Sequence, residues 1–246
     1  MAQSDTTALA TDRPTQTASA FVMSKGSVQI ETGFSIARTK LGFDGFEEVT
    51  SDFITLNSTQ LRFGVSKNLE LLFSQSLVKS RINGGAFEGS RDTELVPTAV
   101  GARIRLFDMN ERGGPQVAIL ATVAGGAFSD LETGTSIELR FNFQHDLGSG
   151  LSLGYNVGSN FNGLTDAFNG VITTVLGYQA SEKVSLFAEL FLIMPELERT
   201  FLQTDFGILY LVNSNLQIDV FAGLGVTDLT PDSAFGAGIS LRIPRK

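Results

Sequence analysis

Hydrophobic and polar residues alternate along most of the chain from Ser27 onward. Residues 135–144 give the clearest example, because every second position carries a large apolar side chain. The apolar set is Ile137, Leu139, Phe141 and Phe143, and the polar set between them is Glu138, Arg140, Asn142 and Gln144. A period of two over this length indicates a β-strand with two different faces and not a helix.

Twelve such segments are predicted. They begin near Ser27, Asp52, Leu69, Glu94, Gln116, Thr135, Leu151, Ala167, Val184, Phe201, Leu216 and Ser233. Short turns, such as residues 66–68 and 148–150, alternate with longer loops, such as residues 39–51 and 81–93. An even strand count with this alternation is typical of transmembrane barrels. The sequence therefore predicts an all-β fold, a closed antiparallel up-and-down barrel of about 12 strands, with both chain ends on the short-turn, periplasmic side.

Strand length and the position of the lysines indicate which face of this barrel is apolar. A tilted strand needs about 9–11 residues to cross the hydrocarbon layer, and many of the predicted strands are that long. The lysines all lie near strand ends, turns or termini, at Lys25, Lys40, Lys67, Lys79, Lys183 and Lys246. A soluble barrel would carry lysines in mid-strand on its solvated face. We therefore expect the apolar face to contact lipid and the polar face to line a wet lumen.

Aromatic residues support this orientation. Phe63, Tyr178 and Tyr210 occupy equivalent positions before short turns, and Tyr155 is predicted close to the same height. Cross-strand packing on a soluble sheet would explain each residue singly but not their common height. These four residues are predicted to form an interfacial girdle at the periplasmic edge of the membrane.

Composition excludes several classes of function. The 246 residues include no Cys, which rules out disulfides, a thiol nucleophile and a lipid anchor on an N-terminal cysteine. The formal net charge of −8 argues against nucleic acid as a partner. No apolar stretch reaches the length of about 18 residues that a transmembrane helix needs.

Residues 1–26 are predicted to be a periplasmic segment separate from the barrel of residues 27–246. They are polar and lack both the alternation of the barrel and the apolar run of a signal peptide. Because a barrel must be exported, we expect that a signal peptide has been removed and that Ala2 or Gln3 begins the mature chain. The alternative is a cytosolic protein with a loose N-terminus. The segment itself is either a disordered lead-in or a plug that folds into the lumen.

Several short motifs resemble one family of outer-membrane proteins. They are Thr11-Asp12-Arg13-Pro14-x-Gln16-Thr17, Lys25-Gly26-x-x-Gln29-Ile30-Glu31-Thr32-Gly33-Phe34, Leu61-Arg62-Phe63-Gly64-Val65, Asn68-Leu69-Glu70-Leu71, Gly154-Tyr155-Asn156, Ala222-Gly223-Leu224-Gly225 and Gly236-Ala237-Gly238. In these motifs the chain resembles the outer-membrane β-barrel transporter family labelled for the meta-pathway of phenol degradation. The resemblance covers nearly the whole chain and implies passage of small solutes, including aromatic or hydrophobic compounds.

Charged residues on the lumen-facing parity are the candidate functional residues. They are Arg62, Arg103, Arg105, Arg140, Arg242, Glu31, Glu70, Glu138, Glu189, Asp205 and Asp219. One interpretation is a structural network of ion pairs that fills a narrow barrel, since buried charges must be paired. The other is a selectivity zone, in which rings of charge determine which solutes pass. The presence of both signs favours a narrow, partly filled lumen over a wide pore.

Catalysis, a metal site and a cofactor are not expected. Hydrolysis by a serine nucleophile needs a histidine base, and His145, the single histidine, is predicted at the periplasmic end of its strand. Outer-membrane phospholipases work toward the outer leaflet, so we expect His145 to be an interfacial residue. One histidine without cysteines leaves no metal site, and no glycine-rich loop opens a helix as a phosphate site would require.

The sequence therefore predicts a passive channel or transporter for small solutes in the outer membrane of a Gram-negative bacterium. The alternative is a structural or partner-binding barrel with a closed lumen. Expected partners are the lipid bilayer, lipopolysaccharide and a small solute, and the oligomeric state is left open. Acidic residues of the outer loops would bind divalent cations shared with lipopolysaccharide, or would simply be solvated. These residues are Asp44, Glu47, Glu48, Glu88, Asp92, Asp130, Glu132, Glu196, Glu198, Asp228 and Asp232.

Overall fold

The chain folds into long strands that run up and down around one closed barrel. The computed structural model describes residues 9–41, 49–84, 88–109, 113–125, 134–163, 165–196, 199–228 and 230–243. Its strands are β1 (Val28–Leu41), β2 (Val49–Ser66), β3 (Leu69–Asn83), β4 (Gly89–Ser90), β5 (Glu94–Leu95), β6 (Thr98–Asp108), β7 (Gln116–Gly125), β8 (Ser136–Gly148), β9 (Leu151–Asn162), β10 (Ala167–Gln179), β11 (Val184–Pro195), β12 (Phe201–Asn213), β13 (Leu216–Gly225) and β14 (Ser233–Ile243).

Pairing between the first and last strands closes the barrel. β1 pairs antiparallel with β14 on one side and with β2 on the other, and β2 pairs in turn with β3. The two-residue strands β4 and β5 each add only to β3, which leaves twelve strands in the wall. The predicted twelve-stranded antiparallel barrel is therefore confirmed. No helix in the described part of the chain is long and apolar enough to cross a membrane.

The observed strand starts follow the predicted ones closely, and the largest difference is in the fourth segment. The strand predicted to begin near Glu94 begins at Thr98, after a separate two-residue pairing of Glu94–Leu95 with β3. Pro97 stands between the two pieces. Because proline has no N–H to donate to the sheet, it interrupts the hydrogen-bonded ladder at this point.

The two faces of the wall have opposite chemistry. Large apolar side chains point outward and stay exposed, including Phe34, Phe168 and Phe235, each more than half exposed. Charged side chains on the alternate positions point inward, and Arg62 and Arg103 are among the most deeply buried residues of the protein. An exposed apolar face of this kind is stable in the hydrocarbon layer of a membrane but not in water.

Both described ends of the wall lie at the rim that carries the short turns. Val28 pairs with Phe63 on β2 and with Ile243 on β14. Turns of two residues, 67–68, 149–150 and 214–215, connect hairpins at this rim. Ser149 has a φ of 54° between two glycines that also have positive φ, a conformation typical of tight hairpin turns.

Some predicted features lie outside the described residues. They are the proposed mature start at Ala2 or Gln3 and the loop acids Asp44, Glu47, Glu48, Asp130, Glu132 and Glu198.

Candidate functional site

Residues 9–26, here called the N-terminal segment, lie inside the barrel and contact its inward side chains. Thr17, Ala20, Val22 and Met23 are buried there. The segment has no regular secondary structure, so its backbone N–H and C=O groups need partners elsewhere. Side chains of the barrel wall supply many of them.

A buried ionic network binds the segment to strands β1, β2, β3 and β6. Arg103 contacts the carboxylates of Asp12 at 2.6 Å and Glu70 at 2.8 Å. Arg62 contacts Glu31 at 3.0 Å and donates two hydrogen bonds to Glu70 at 3.1 and 3.2 Å. Asp12 belongs to the N-terminal segment, whereas the other members belong to the wall. We call these five residues the arginine–carboxylate network.

The same network holds the backbone of the segment. Glu31 accepts hydrogen bonds from the N–H groups of Asp12 and Arg13, both at 2.9 Å. Glu70 accepts one from Met23 at 2.7 Å. Arg62 donates to two backbone carbonyls, those of Ala10 at 3.0 Å and Phe21 at 3.1 Å. Each of these buried charged groups therefore makes both an ion pair and hydrogen bonds to the segment backbone, which limits the cost of its burial.

A second set of contacts holds the middle of the segment on the opposite wall. Glu189 accepts hydrogen bonds from the N–H groups of Gln16 and Thr17, at 2.9 and 2.7 Å, and from the Thr17 hydroxyl. The Asn156 amide both donates to and accepts from the backbone of Ala18. Arg140 donates to the Gln16 carbonyl at 3.0 Å. The segment thus spans the lumen from one wall to the other.

A third contact lies between these two. Nη2 of Arg13 is 3.2 Å from Oδ1 of Asp219 on β13. The Arg13 guanidinium fills a notch over Gly33 and Gly238, which face each other on β1 and β14. The three atoms nearest to a Cβ atom built at Gly238 all belong to this guanidinium. The glycine pair therefore makes room for the arginine.

The remaining predicted lumen residues lie outside these contacts. Asp205 accepts a hydrogen bond from Gln203 at 2.7 Å, and Glu138 pairs with Arg140 at 2.8 Å. The Arg105 backbone N–H and the Arg242 side chain bond to residues of the short turns at positions 68, 214 and 215.

The predicted girdle aromatics lie on the outer face, near the strand ends at the short-turn rim. Phe63, Tyr178 and Tyr210 are exposed within three residues of a strand end. Tyr155 pairs with Thr174, four residues deeper along β10 than Tyr178, which pairs with Leu151. Tyr155 stacks on Phe143, and its hydroxyl is 3.4 Å from Nε2 of His145. The interfacial role of these aromatics stays a prediction.

Asp12 is a site residue that the sequence prediction left out. The signal available was that Asp12 and Arg13 are the only charges between residues 6 and 24. Although burial acts to raise the pKa of Asp12, the charges of Arg103 and Arg62 outweigh it and lower the pKa from 3.8 to about 2. A charged Asp12 is therefore favoured in the docked segment.

The contribution of Asp12 to docking of the segment is expected to resist mild acid. Because the pKa is lowered, the stabilisation by Asp12 is complete above its ordinary value of 3.8 and is lost as the pH falls through about 2. The chain lacks cysteine, so a spin label attached through Gln16→Cys, at an exposed side chain, reports docking. We expect the label to be less mobile in the wild type than in Asp12→Asn at pH 4, and this difference to disappear near pH 2. Equal mobility of the two proteins at pH 4 would contradict the pairing, and a label on the exposed turn residue Glu182 serves as control.

Cavities lie on both sides of the segment. The outer vestibule, about 530 Å³, is floored by residues 12–16 and walled by β1, β2 and β3. An inner cavity of about 240 Å³ lies against the other side, between the segment and side chains such as Val175, Phe187 and Gln217. A third cavity, about 560 Å³, adjoins it at the short-turn rim. No group of three or more His, Asp or Glu residues suited to a metal ion occurs within the described ranges.

Comparison with known families agrees with this architecture. A family model described as "Putative MetA-pathway of phenol degradation" matches residues 11–243, which include the segment contacts and the whole described wall after them. The chain belongs to this family. The resemblance predicted from the short motifs is thereby confirmed. No match was found among curated proteins.

Solved structures similar to this family member are outer-membrane barrels. An outer membrane channel from Pseudomonas putida F1 has a TM-score of 0.71 at 10% identity, over 94% of this chain and all of that one. The KdgM porin in complex with disordered oligogalacturonate has a TM-score of 0.54 at 10% identity, covering 87% and 98% of the two chains. The translocator domain of the autotransporter NalP from Neisseria meningitidis has 0.56 at 12% identity, covering 90% of each. These likenesses establish the fold as that of outer-membrane barrels.

Proposed function

We propose that this protein is a passive channel of the bacterial outer membrane for small solutes, with the N-terminal segment as a plug in its lumen. The observation that carries the proposal is the arrangement of the segment between an outer vestibule and an inner cavity. The segment is bonded through side chains, not through strand pairing, so its displacement would leave the barrel wall intact.

Family and fold support the same function. The family description refers to phenol degradation, and solved barrels of this fold include a channel and an oligogalacturonate-binding porin. These relatives are consistent with a small organic solute as substrate, aromatic or hydrophobic compounds included. The exposed apolar belt would contact lipid, and the acidic outer loops would face lipopolysaccharide.

A structural or partner-binding barrel with a closed lumen is the second candidate. The arginine–carboxylate network favours it, because Arg62, Arg103, Glu31 and Glu70 are almost completely buried and mutually paired. Such a network fits the structural interpretation of the lumen charges better than a ring of hydrated selectivity charges.

Removal of the plug distinguishes the two candidates. Deletion of residues 1–20 is expected to raise single-channel conductance in planar bilayers severalfold, because it removes every contact of residues 10–19 with the lumen wall. Deletion of residues 1–8 is the matched control and should leave conductance unchanged, since those described contacts remain. If the longer deletion folds and still does not conduct, the channel proposal fails and the closed barrel is favoured.

A further inference from the structure

We propose that the Arg13–Asp219 pair is the constriction through which uncharged, hydroxyl-bearing solutes pass from the outer vestibule to the inner cavity. The proposal rests on the channel function proposed above and assigns the route and the solute class. It follows from where the cavities meet, how weakly this pair is held, and what lines the vestibule.

The outer vestibule and the inner cavity meet at Arg13 and Thr15, which line both. The position of Asp219 on the facing strand, β13, supports this arrangement. Inward side chains follow one another along β13 at every second residue. Gln217 lines the inner cavity and Phe221 lines the outer vestibule, so Asp219, which binds Arg13, lies between the two. The inner cavity adjoins the cavity at the short-turn rim, because Phe21 and other residues line both.

The Arg13 side chain makes fewer hydrogen bonds than the side chains of Arg62 and Arg103, the two arginines of the arginine–carboxylate network. A single 3.2 Å contact joins the two side chains. Among the described residues, neither Nε of Arg13 nor Oδ2 of Asp219 has a hydrogen-bond partner. Arg62, by contrast, donates five hydrogen bonds to carboxylates and carbonyls. A guanidinium with one good contact is displaced at lower cost than one with five.

Displacement of the Arg13 side chain would open space in the wall itself. The guanidinium occupies the volume above Gly33 and Gly238, where any other residue would place a Cβ atom. The side chain of Arg13 is 18% exposed, so a solute in the vestibule can reach it. The notch therefore becomes part of the route once the arginine swings away.

The lining of the vestibule indicates the solute class. Its side chains above the floor are hydroxyl and amide groups together with apolar ones, among them Ser58, Gln60, Ser74, Phe53 and Phe221. The charged residues that line it are Asp12, Arg13 and Glu31, each already in an ion pair. Neutral donors and acceptors beside aromatic rings suit an uncharged ring compound with hydroxyl groups, whose charged analogue would lose hydration without gaining a partner.

Liposome swelling tests the route with arabinose as an uncharged probe and arabinonate as its anionic analogue. We expect Arg13→Ala to raise the rate of arabinose entry severalfold and that of arabinonate much less, because Asp219 then faces the opening without its partner. The double variant Arg13→Ala with Gly238→Val should return arabinose entry to the wild-type rate by refilling the notch. Arg199→Ala, which removes an arginine that is 84% exposed, is the control and should change neither rate.

Two further measurements make the outcome decisive. The Gln16→Cys spin label must stay immobilised in the Arg13→Ala protein, because a mobile label would mean that the whole segment undocks, which overturns a local constriction. An unchanged arabinose rate in Arg13→Ala, when the deletion of residues 1–20 conducts, overturns the constriction and leaves the channel function standing. If that deletion does not conduct either, both proposals fail together.

Discussion

Replacement of Arg62 by methionine is expected to lower the free energy of unfolding by about 3–5 kcal/mol, the cost typical of removing one partner from a buried ion pair. Arg62 is paired with both Glu31 and Glu70, and its side chain is 1% exposed. Methionine fills similar volume but leaves the two buried carboxylates without that cation. Urea unfolding in lipid vesicles, followed by circular dichroism, measures the change.

Arg140→Met is the matched control for Arg62→Met. Arg140 also lies on the inner face and also binds a segment carbonyl, but it and its partner Glu138 are 17% and 19% exposed. A partly solvated pair contributes less, so we expect a loss below about 1 kcal/mol. Equal losses for the two variants would contradict the view that burial of the arginine–carboxylate network makes it costly to break.

The second large effect on the free energy of unfolding is expected from a charge introduced on the outer face. Phe141→Arg is expected to cost about 2–4 kcal/mol, because Phe141 lies in the middle of β8 on the exposed apolar face and the charge would enter hydrocarbon. The measurement is urea unfolding from vesicles of defined lipid composition. A soluble barrel would tolerate arginine at an exposed position with little change.

The position of Leu147 provides the comparison. It lies on the same strand and the same face as Phe141, but next to the short turn that ends β8. Leu147→Arg should cost only about 0–1 kcal/mol, since the charge then reaches the interface. Equal costs would mean that the cost of a charge does not depend on its distance from the short-turn rim. The orientation inferred from the lysines and aromatics would then need revision.

Strand alternation made the barrel wall predictable, but it did not reveal the partners of the inward charges. Parity along β2 and β11 is enough to place Arg62 and Glu189 on the buried, inward face. It carries no information about the N-terminal segment, which has no period. The bond from Thr17 to Glu189 joins residues 172 positions apart, and nothing in local sequence specifies it.

The depth of Tyr155 illustrates a second limit. Distance from the nearest turn predicts Tyr155 close to Tyr178, because β9 begins and β10 ends at the short-turn rim. Cross-strand register places Tyr155 opposite Thr174, four residues from Tyr178 along β10. Register depends on the fit between neighbouring strands along their whole length, so the position of one turn does not fix it.

The attachment of the N-terminal segment has a consequence for the order in which the protein assembles. Its ligands come from both halves of the chain: Met23 binds Glu70, 47 residues away, whereas Arg13 binds Asp219, 206 residues away. Contacts with such separations form late, because the loop between them must close first. A folding chain can therefore attach residue 23 to its early hairpins, but the Arg13 side chain binds Asp219 only after β13 has joined the wall. This ion pair is therefore present only when the late strands of the barrel are in place.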